Sequence, residues 1–261
     1  MIEPETTSGP VAEQGDLRVA LLSEKGPVRA ANEDCCGHRA ADAATTLVVV
    51  ADGVSGYLAA DVASQMAVDV TLEAFGSQDA SMRLEARLAR AAQEANIAIY
   101  DRGMVVPELR GMATTLTAVA ISNGQLAAAH VGDSRLSLGR GGRALQLTKD
   151  HRSGKVMLTR SVGRELIVAI DKIVRPLEAG DVLVLCTDGL HNFVGDGDIA
   201  RLVSAVDPEG ACRALVDAAL AAGADDNLTV AVIHALGGSA RPRPPSLGDR
   251  LRRLVGAGRA R

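Results

Sequence analysis

Residues 114–131 read Thr-Thr-Leu-Thr-Ala-Val-Ala-Ile-Ser-Asn-Gly-Gln-Leu-Ala-Ala-Ala-His-Val. Two apolar runs, 114–121 and 125–131, flank Ser122-Asn123-Gly124. Asn-Gly accepts the positive φ angles of a tight turn, so the runs are predicted to fold back as an antiparallel hairpin. Downstream, a strand at 135–138 turns through 139–142 into 143–147, and 181–187 reads as a buried strand ending at Asp188-Gly189. Helices follow near 196–206 and 208–222, then a last strand at 228–235. Upstream, 17–22 is a strand closed by the turn Ser23–Pro27, and the unbroken apolar run 46–51 is a strand buried on both faces. Residues 58–75 and 81–100 are Ala-rich with apolar positions at helical spacing. This order lacks the steady alternation of strand and helix that a parallel sheet needs. The predicted class is α+β, with antiparallel sheets and helices on outer faces.

Composition narrows the function. Of 261 residues, 47% are hydrophobic but only 2% aromatic, so the core is predicted to be Ala, Val, Leu and Ile. A stacking platform for single-stranded nucleic acid needs aromatics that are not there. The net charge of −4 gives no general attraction to nucleic acid. That charge is uneven, because 239–261 carries seven Arg against Asp249 alone and the body is correspondingly acidic. No segment approaches the roughly 20 apolar residues of a membrane span, and the first 15 residues lack a signal-peptide pattern. The spacing of Cys35, Cys36, Cys186 and Cys212 fits neither a disulfide framework nor a zinc pair. They read as small hydrophobes in a reducing cytoplasm, with redox sensitivity at Cys35-Cys36 as the alternative.

The chemistry is concentrated at strand ends. An apolar run leads into Asp52-Gly53, another into Asp133 and another into Asp188-Gly189, while Asp225-Asp226-Asn227 opens the last strand. Asp-Gly is also an ordinary turn, so one such pair allows either reading. Four of them, if the strand ends lie side by side, bring carboxylates into one cleft, where they repel unless a cation joins them. All-oxygen ligation favours Mg²⁺ or Mn²⁺ over zinc. Nucleophile-elbow, aspartyl-phosphate and P-loop patterns do not occur. His38, His130, His151, His191 and His234 are scattered and read as structural, His191 being the nearest in sequence to a candidate acid.

Taken together, these motifs resemble the type-2C (PPM) family of metal-dependent protein serine/threonine phosphatases, in the family's order over about 17–235. The matching stretches are Arg29-Ala-Ala-Asn-Glu33-Asp34, Asp52-Gly-Val-Ser-Gly56, Gly111-Met-Ala-Thr114-Thr115, Val131-Gly-Asp133-Ser-Arg135, Leu158-Thr-Arg-Ser-Val-Gly163, Thr187-Asp-Gly-Leu190 and Asp226-Asn-Leu-Thr229. The resemblance implies two antiparallel sheets packed as a sandwich, with a helix pair on each outer face. It implies hydrolysis of phosphoserine and phosphothreonine in proteins by water activated between two Mn²⁺ or Mg²⁺ ions. Asp52 would bridge the ions, the Gly53 carbonyl would bind one, Asp188 and Asp226 would complete the first, and Glu33 would serve the second. Arg29 would grip the substrate phosphate, and Asp133 would serve a third ion.

Three departures matter. Asn192 replaces the acid expected four residues after Asp188, and only Arg152–Met157 separates His151 from Leu158 where relatives carry a longer flap. Both argue against a tightly held third ion. Val54 and Ser55 depart from the glycine-rich motif and leave the leaving-group acid unassigned. A lead-in at 1–15 is expected to be disordered, 16–237 to be the catalytic domain, and 238–261 a Pro/Gly linker with a basic tail. In that tail Leu247, Leu251, Leu254 and Val255 form a helical stripe among arginines, suited to an anionic membrane or an acidic partner. The expected partners are phosphoproteins made by a serine/threonine kinase, and the expected location is cytoplasmic, peripheral to a membrane where the tail engages it. A catalytically silent phosphoprotein-binding module on the same fold is the competing reading; retention of Asp52, Asp188 and Asp226 speaks for activity. A phosphatase of small metabolites is disfavoured by the short flap, which opens the cleft to protein surfaces.

Overall fold

The computed structural model describes residues 6–8, 12–54, 59–154, 157–204 and 206–237. In chain order the elements begin with β1 (Thr6–Ser8), β2 (Ala12–Gln14), β3 (Leu17–Glu24), β4 (Asp34–Asp42) and β5 (Thr45–Asp52). Helices α1 (Ala60–Ser77) and α2 (Leu84–Val105) follow. Next come β6 (Leu116–Ser122), β7 (Gln125–Val131), β8 (Arg135–Arg140), β9 (Arg143–Gln146), β10 (Arg152–Ser153), β11 (Met157–Leu158), β12 (Asp171–Pro176) and β13 (Val182–Cys186). The chain closes with α3 (Asp188–His191), α4 (Asp196–Val203), α5 (Pro208–Ala221) and β14 (Leu228–Ala235).

Two antiparallel sheets stack face to face. One runs β12-β7-β6-β5-β4, the other β1-β3-β14-β13-β8-β9 with β2 also on β3. The Asn123-Gly124 hairpin joins β6 to β7 with Ser122 opposite Gln125, as the sequence predicts, and Asn123 and Gly124 both take positive φ. The alternation of β5 explains its unbroken apolar run. Val48 and Val50 pack between the sheets with Val119, Leu183 and Ile233, whereas Leu47, Val49 and Ala51 face α1 and α2. The second sheet repeats the scheme, with Val184, Val230 and Val232 against α4 and α5. Both faces of each sheet are therefore covered, and short aliphatic side chains fill layers that aromatics would force apart. Among the described residues Phe75 is the largest fully buried side chain, with the Arg87 guanidinium 4.0 Å from its ring centroid.

Departures from the sequence reading fall at the edges. Strands β1 and β2 order parts of the lead-in expected to be disordered, pairing with the same central strand β3. Neither β4 nor β12 is predicted. Asp34-Cys-Cys-Gly-His-Arg-Ala-Ala-Asp42 lacks an apolar alternation, and Asp171–Pro176 is mostly exposed and ends in proline, as edge strands do. The basic tail stripe and Ser55-Gly56 lie outside the described residues.

Candidate metal centre

One end of the sandwich collects the carboxylates. Asp52 closes β5, Asp34 opens β4 and Asp133 sits in the turn between β7 and β8. Asp188 follows β13, and Asp226 precedes β14. Antiparallel pairing is what gathers them, because strand ends with opposite chain direction meet at the same edge. Asp34 stands directly opposite Asp52 across β4 and β5. Gly189 lets the turn after β13 close on β14, since a Cβ there would lie 2.0 Å from the Asn227 carbonyl oxygen and 3.2 Å from the Asp226 Cβ. Any side chain at 189 would drive Asp188 and Asp226 apart.

The backbone around Asp52 is fixed from below. Its N–H donates to Thr115 Oγ1 (2.9 Å), while its carbonyl accepts from Thr114 Oγ1 and from the Thr115 N–H, both at 2.8 Å. Thr115 Oγ1 and Ser134 Oγ are 2.6 Å apart, so the Asp133 turn belongs to the same scaffold. Asn227 holds the loop that carries Arg29 and Glu33. Its Oδ1 accepts the Glu33 N–H (2.9 Å), and its Nδ2 donates to the carbonyls of Lys25 (2.8 Å) and Ala31 (2.9 Å). The Glu33 carbonyl in turn accepts the Gly53 N–H at 3.1 Å. Threonines and asparagines that the motifs share thus serve as scaffold for the acids.

Electrostatically the cluster is under tension. Burial, and then Asp34, Asp188, Asp133 and Asp226, push the Asp52 carboxyl well above the ordinary carboxylate range. Asp34 is pushed up to about 7, chiefly by burial and further by Asp188 and Asp226, against the bonding of Thr229 and Thr187. The Thr187 hydroxyl donates to Asp34 Oδ2 at 2.9 Å. Burial and Asp188 raise Asp133 to about 6, and burial and Asp226 raise Asp188. Carboxyls that hold protons near neutral pH are short of positive charge, and oxygen-only donors meet that need with a hard divalent cation. The donor set therefore fits such ions. As their side chains stand, no group of three or more His, Cys, Asp or Glu among the described residues is close enough to hold an ion.

The predicted residues converge with two surprises. Arg29, expected on phosphate, donates from Nη2 to Asp226 Oδ2 at 2.7 Å, and Asp34, which carried no predicted role, lies in the middle of the group. Asp34 hid because β4 has no apolar periodicity; its adjacency to Glu33 in the opening motif was the available signal. Asp133 faces Arg152, Nη1 to Oδ2 at 3.6 Å, a contact no sequence pattern announces. Asn192 donates to Asp188 Oδ2 at 3.3 Å.

The histidines nearest the site are structural, as predicted. His191 Nε2 donates to the Asp133 carbonyl (3.0 Å), and burial lowers it to about 4, so it stays neutral. His151 accepts the Gly132 N–H at Nδ1 (3.1 Å) and lies 3.1 Å from Asp171 Oδ2 through Nε2. Cys35 is held up to about 12 by burial and Cys36 is also raised, so neither forms the thiolate that redox sensing needs.

Comparison with known proteins agrees with this geometry. The protein phosphatase 2C family profile matches residues 28–223. Protein phosphatase PhpP of Streptococcus pneumoniae is 32% identical over 239 residues, covering 83% of this chain and 97% of PhpP. Serine/threonine protein phosphatase PstP of Mycobacterium tuberculosis is 32% identical over 236 residues; the match takes 83% of this chain and 44% of PstP. Among solved structures, the Streptococcus agalactiae serine/threonine phosphatase aligns with a TM-score of 0.77 at 30% identity, over 84% of this chain and 99% of that one. The catalytic domain of PstP in complex with two manganese ions aligns with a TM-score of 0.72 at 33% identity, over 84% and 97%.

Proposed function

The chain belongs to the protein phosphatase 2C family, and from that premise we propose that its crowded carboxylates are the centre where phosphoserine and phosphothreonine are hydrolysed. It is a metal-dependent protein serine/threonine phosphatase. The observation that carries the site assignment is the convergence of Asp34, Asp52, Asp133, Asp188 and Asp226, four of which are raised by burial and by one another.

Asp52, Asp188 and Asp226 would hold the ions, with the Gly53 carbonyl and Glu33 assisting. Two Mn²⁺ ions are the favoured set, supported by the manganese complex of the similar PstP domain, with Mg²⁺ as the alternative. When bound, such cations acidify water to a nucleophile at neutral pH and offset phosphoryl charge. The protein's own residues then act around them. Arg29, bonded to Asp226, has a forked guanidinium with five donors and suits a phosphoryl group. Asp34, held by the Thr187 hydroxyl opposite Asp52, adds a further carboxyl to the cluster. Substrates are phosphoproteins made by a serine/threonine kinase. Residues 239–261 lie outside the described residues, and their arginines would bring the enzyme to an anionic surface. Among the described residues no helix is long and apolar enough to cross a membrane.

The test is turnover of a phosphothreonine peptide with Mn²⁺, Mg²⁺ or EDTA. Activity restored by Mn²⁺ after EDTA is expected, with Arg29→Ala losing roughly 10–100-fold in kcat/KM while metal affinity is kept. Turnover that persists in EDTA contradicts the assignment.

A further inference from the structure

The third ion that the resemblance places at Asp133 does not fit the residues found there, and the misfit is itself informative. Asp133 is set rigidly: its carbonyl takes His191 Nε2, and the next residue, Ser134, is bonded to Thr115. Asp150 is equally fixed, gripped by the Arg135 fork through Nε (3.0 Å) and Nη2 (2.8 Å) and by Gln146 Nε2 (2.9 Å). Arg152 lies between these two carboxylates, Nη1 3.6 Å from Asp133 Oδ2 and Nε 3.4 Å from Asp150 Oδ2. Its side chain is only 20% exposed.

The backbone leaves this arginine little choice of position. The preceding His151 N–H donates to the Gly132 carbonyl at 2.7 Å, and the His151 ring accepts the Gly132 N–H, so Arg152 starts one residue from an anchor on the Asp133 turn itself. On its other side Arg152 pairs with Leu158 in the two-residue hairpin that replaces a longer flap. On the remaining wall Asn192, a neutral amide, donates to Asp188 where an acid would have added charge. The subsite thus holds a neutral amide at 192 and a permanent cation at 152.

We propose that Arg152 is a built-in substitute for the third metal, a tethered guanidinium that neutralises Asp133 and restricts this phosphatase to two ions. A guanidinium keeps its charge at every physiological pH and cannot diffuse away, whereas a weakly held ion comes and goes with its concentration. The shortened flap and Asn192 then form one adaptation. This inference rests on the two-metal reading above.

Native mass spectrometry of the full-length protein titrated with Mn²⁺ tests it, alongside Arg152→Lys, Asn192→Asp, Arg152→Ala and the double variant Arg152→Ala/Asn192→Asp. The native chain, Arg152→Lys and Asn192→Asp are expected to stop at two ions, because each keeps a cation beside Asp133. The double variant is expected to take three. Should it not fold, Arg152→Ala alone is expected to show an additional weak ion. Three ions on the native chain or on Asn192→Asp overturn the assignment. So does a folded double variant that stays at two, which would reduce Arg152 to a hairpin anchor. Fewer than two ions on the native chain overturns the two-metal reading and this inference with it.

Discussion

The two ends of the sandwich treat buried acids in opposite ways. At the end away from the cluster, Asp181 precedes β13 and is 1% exposed, yet it is answered completely. Arg140 reaches both its carboxylate oxygens at 2.6 Å, and the Glu178 N–H donates to Oδ2 at 2.7 Å. At the other end Asp34, Asp52, Asp133 and Asp188 face one another, and burial and mutual repulsion raise all four. Both ends belong to the same strands and the same core. The difference lies in whether the fold supplies its own cation. Arg140 answers Asp181 on both oxygens, whereas at the crowded end Arg29 reaches Asp226 and the repulsion among Asp34, Asp52 and Asp188 is what a divalent cation would relieve. Asp133 is intermediate: Arg152 stands 3.6 Å from it and lowers its pKa in part, while burial and Asp188 still hold it up.

Asp226→Asn should have the largest effect, a loss of roughly 10³-fold in Mn²⁺-dependent turnover of a phosphothreonine peptide, with the far-ultraviolet circular dichroism unchanged. Activity within a few-fold of native would place Asp226 among ordinary turn acids.

Stability against pH separates the ends next. Asp34 titrates at about 7 in the folded protein against an ordinary value of 3.8. The folded state therefore binds this proton more tightly, and the stability it contributes is full below about pH 4 and lost as pH rises to about 7. In EDTA the melting temperature should fall across that window, and saturating Mn²⁺ should flatten the decline. A metal-free protein that becomes steadily more stable from pH 4 to 7 contradicts the crowding of the acids.

At the neutralised end the effect should be small and unconnected with catalysis. Asp181→Asn leaves Arg140, whose side chain is 40% exposed, able to reach water, so urea denaturation should show a loss of about 1–2 kcal/mol. Turnover should be unchanged. A loss of activity as large as that at Asp226 would erase the distinction between the ends.

Most of this arrangement could be read from sequence, for a physical reason. Strands covered on both faces must be apolar throughout, so β5, β7 and β13 announced themselves, and the acids at their ends stood out against them. The antiparallel hairpin then implied that the ends could meet. What stayed hidden was carried by edges and by distant pairs. Asp34 sits on a strand that half-faces solvent and has no periodicity, and Arg152 meets Asp133 across 19 residues through a hairpin of two-residue strands. The engagement of Arg29 by Asp226, 197 residues away, is equally a product of tertiary folding. Local pattern shows where a strand ends; it does not show which charge comes to face it.

In the proposed two-metal centre, Asp52 would be the ligand common to both ions. Calorimetric titration of Mn²⁺ into the native protein and into Asp52→Asn, with turnover measured on the same samples, tests it most directly. The native chain should bind two ions, and the variant should lose at least one of them together with nearly all its activity. An Asp52→Asn protein that binds two ions with native affinity and keeps native turnover would show that Asp52 is not their common ligand.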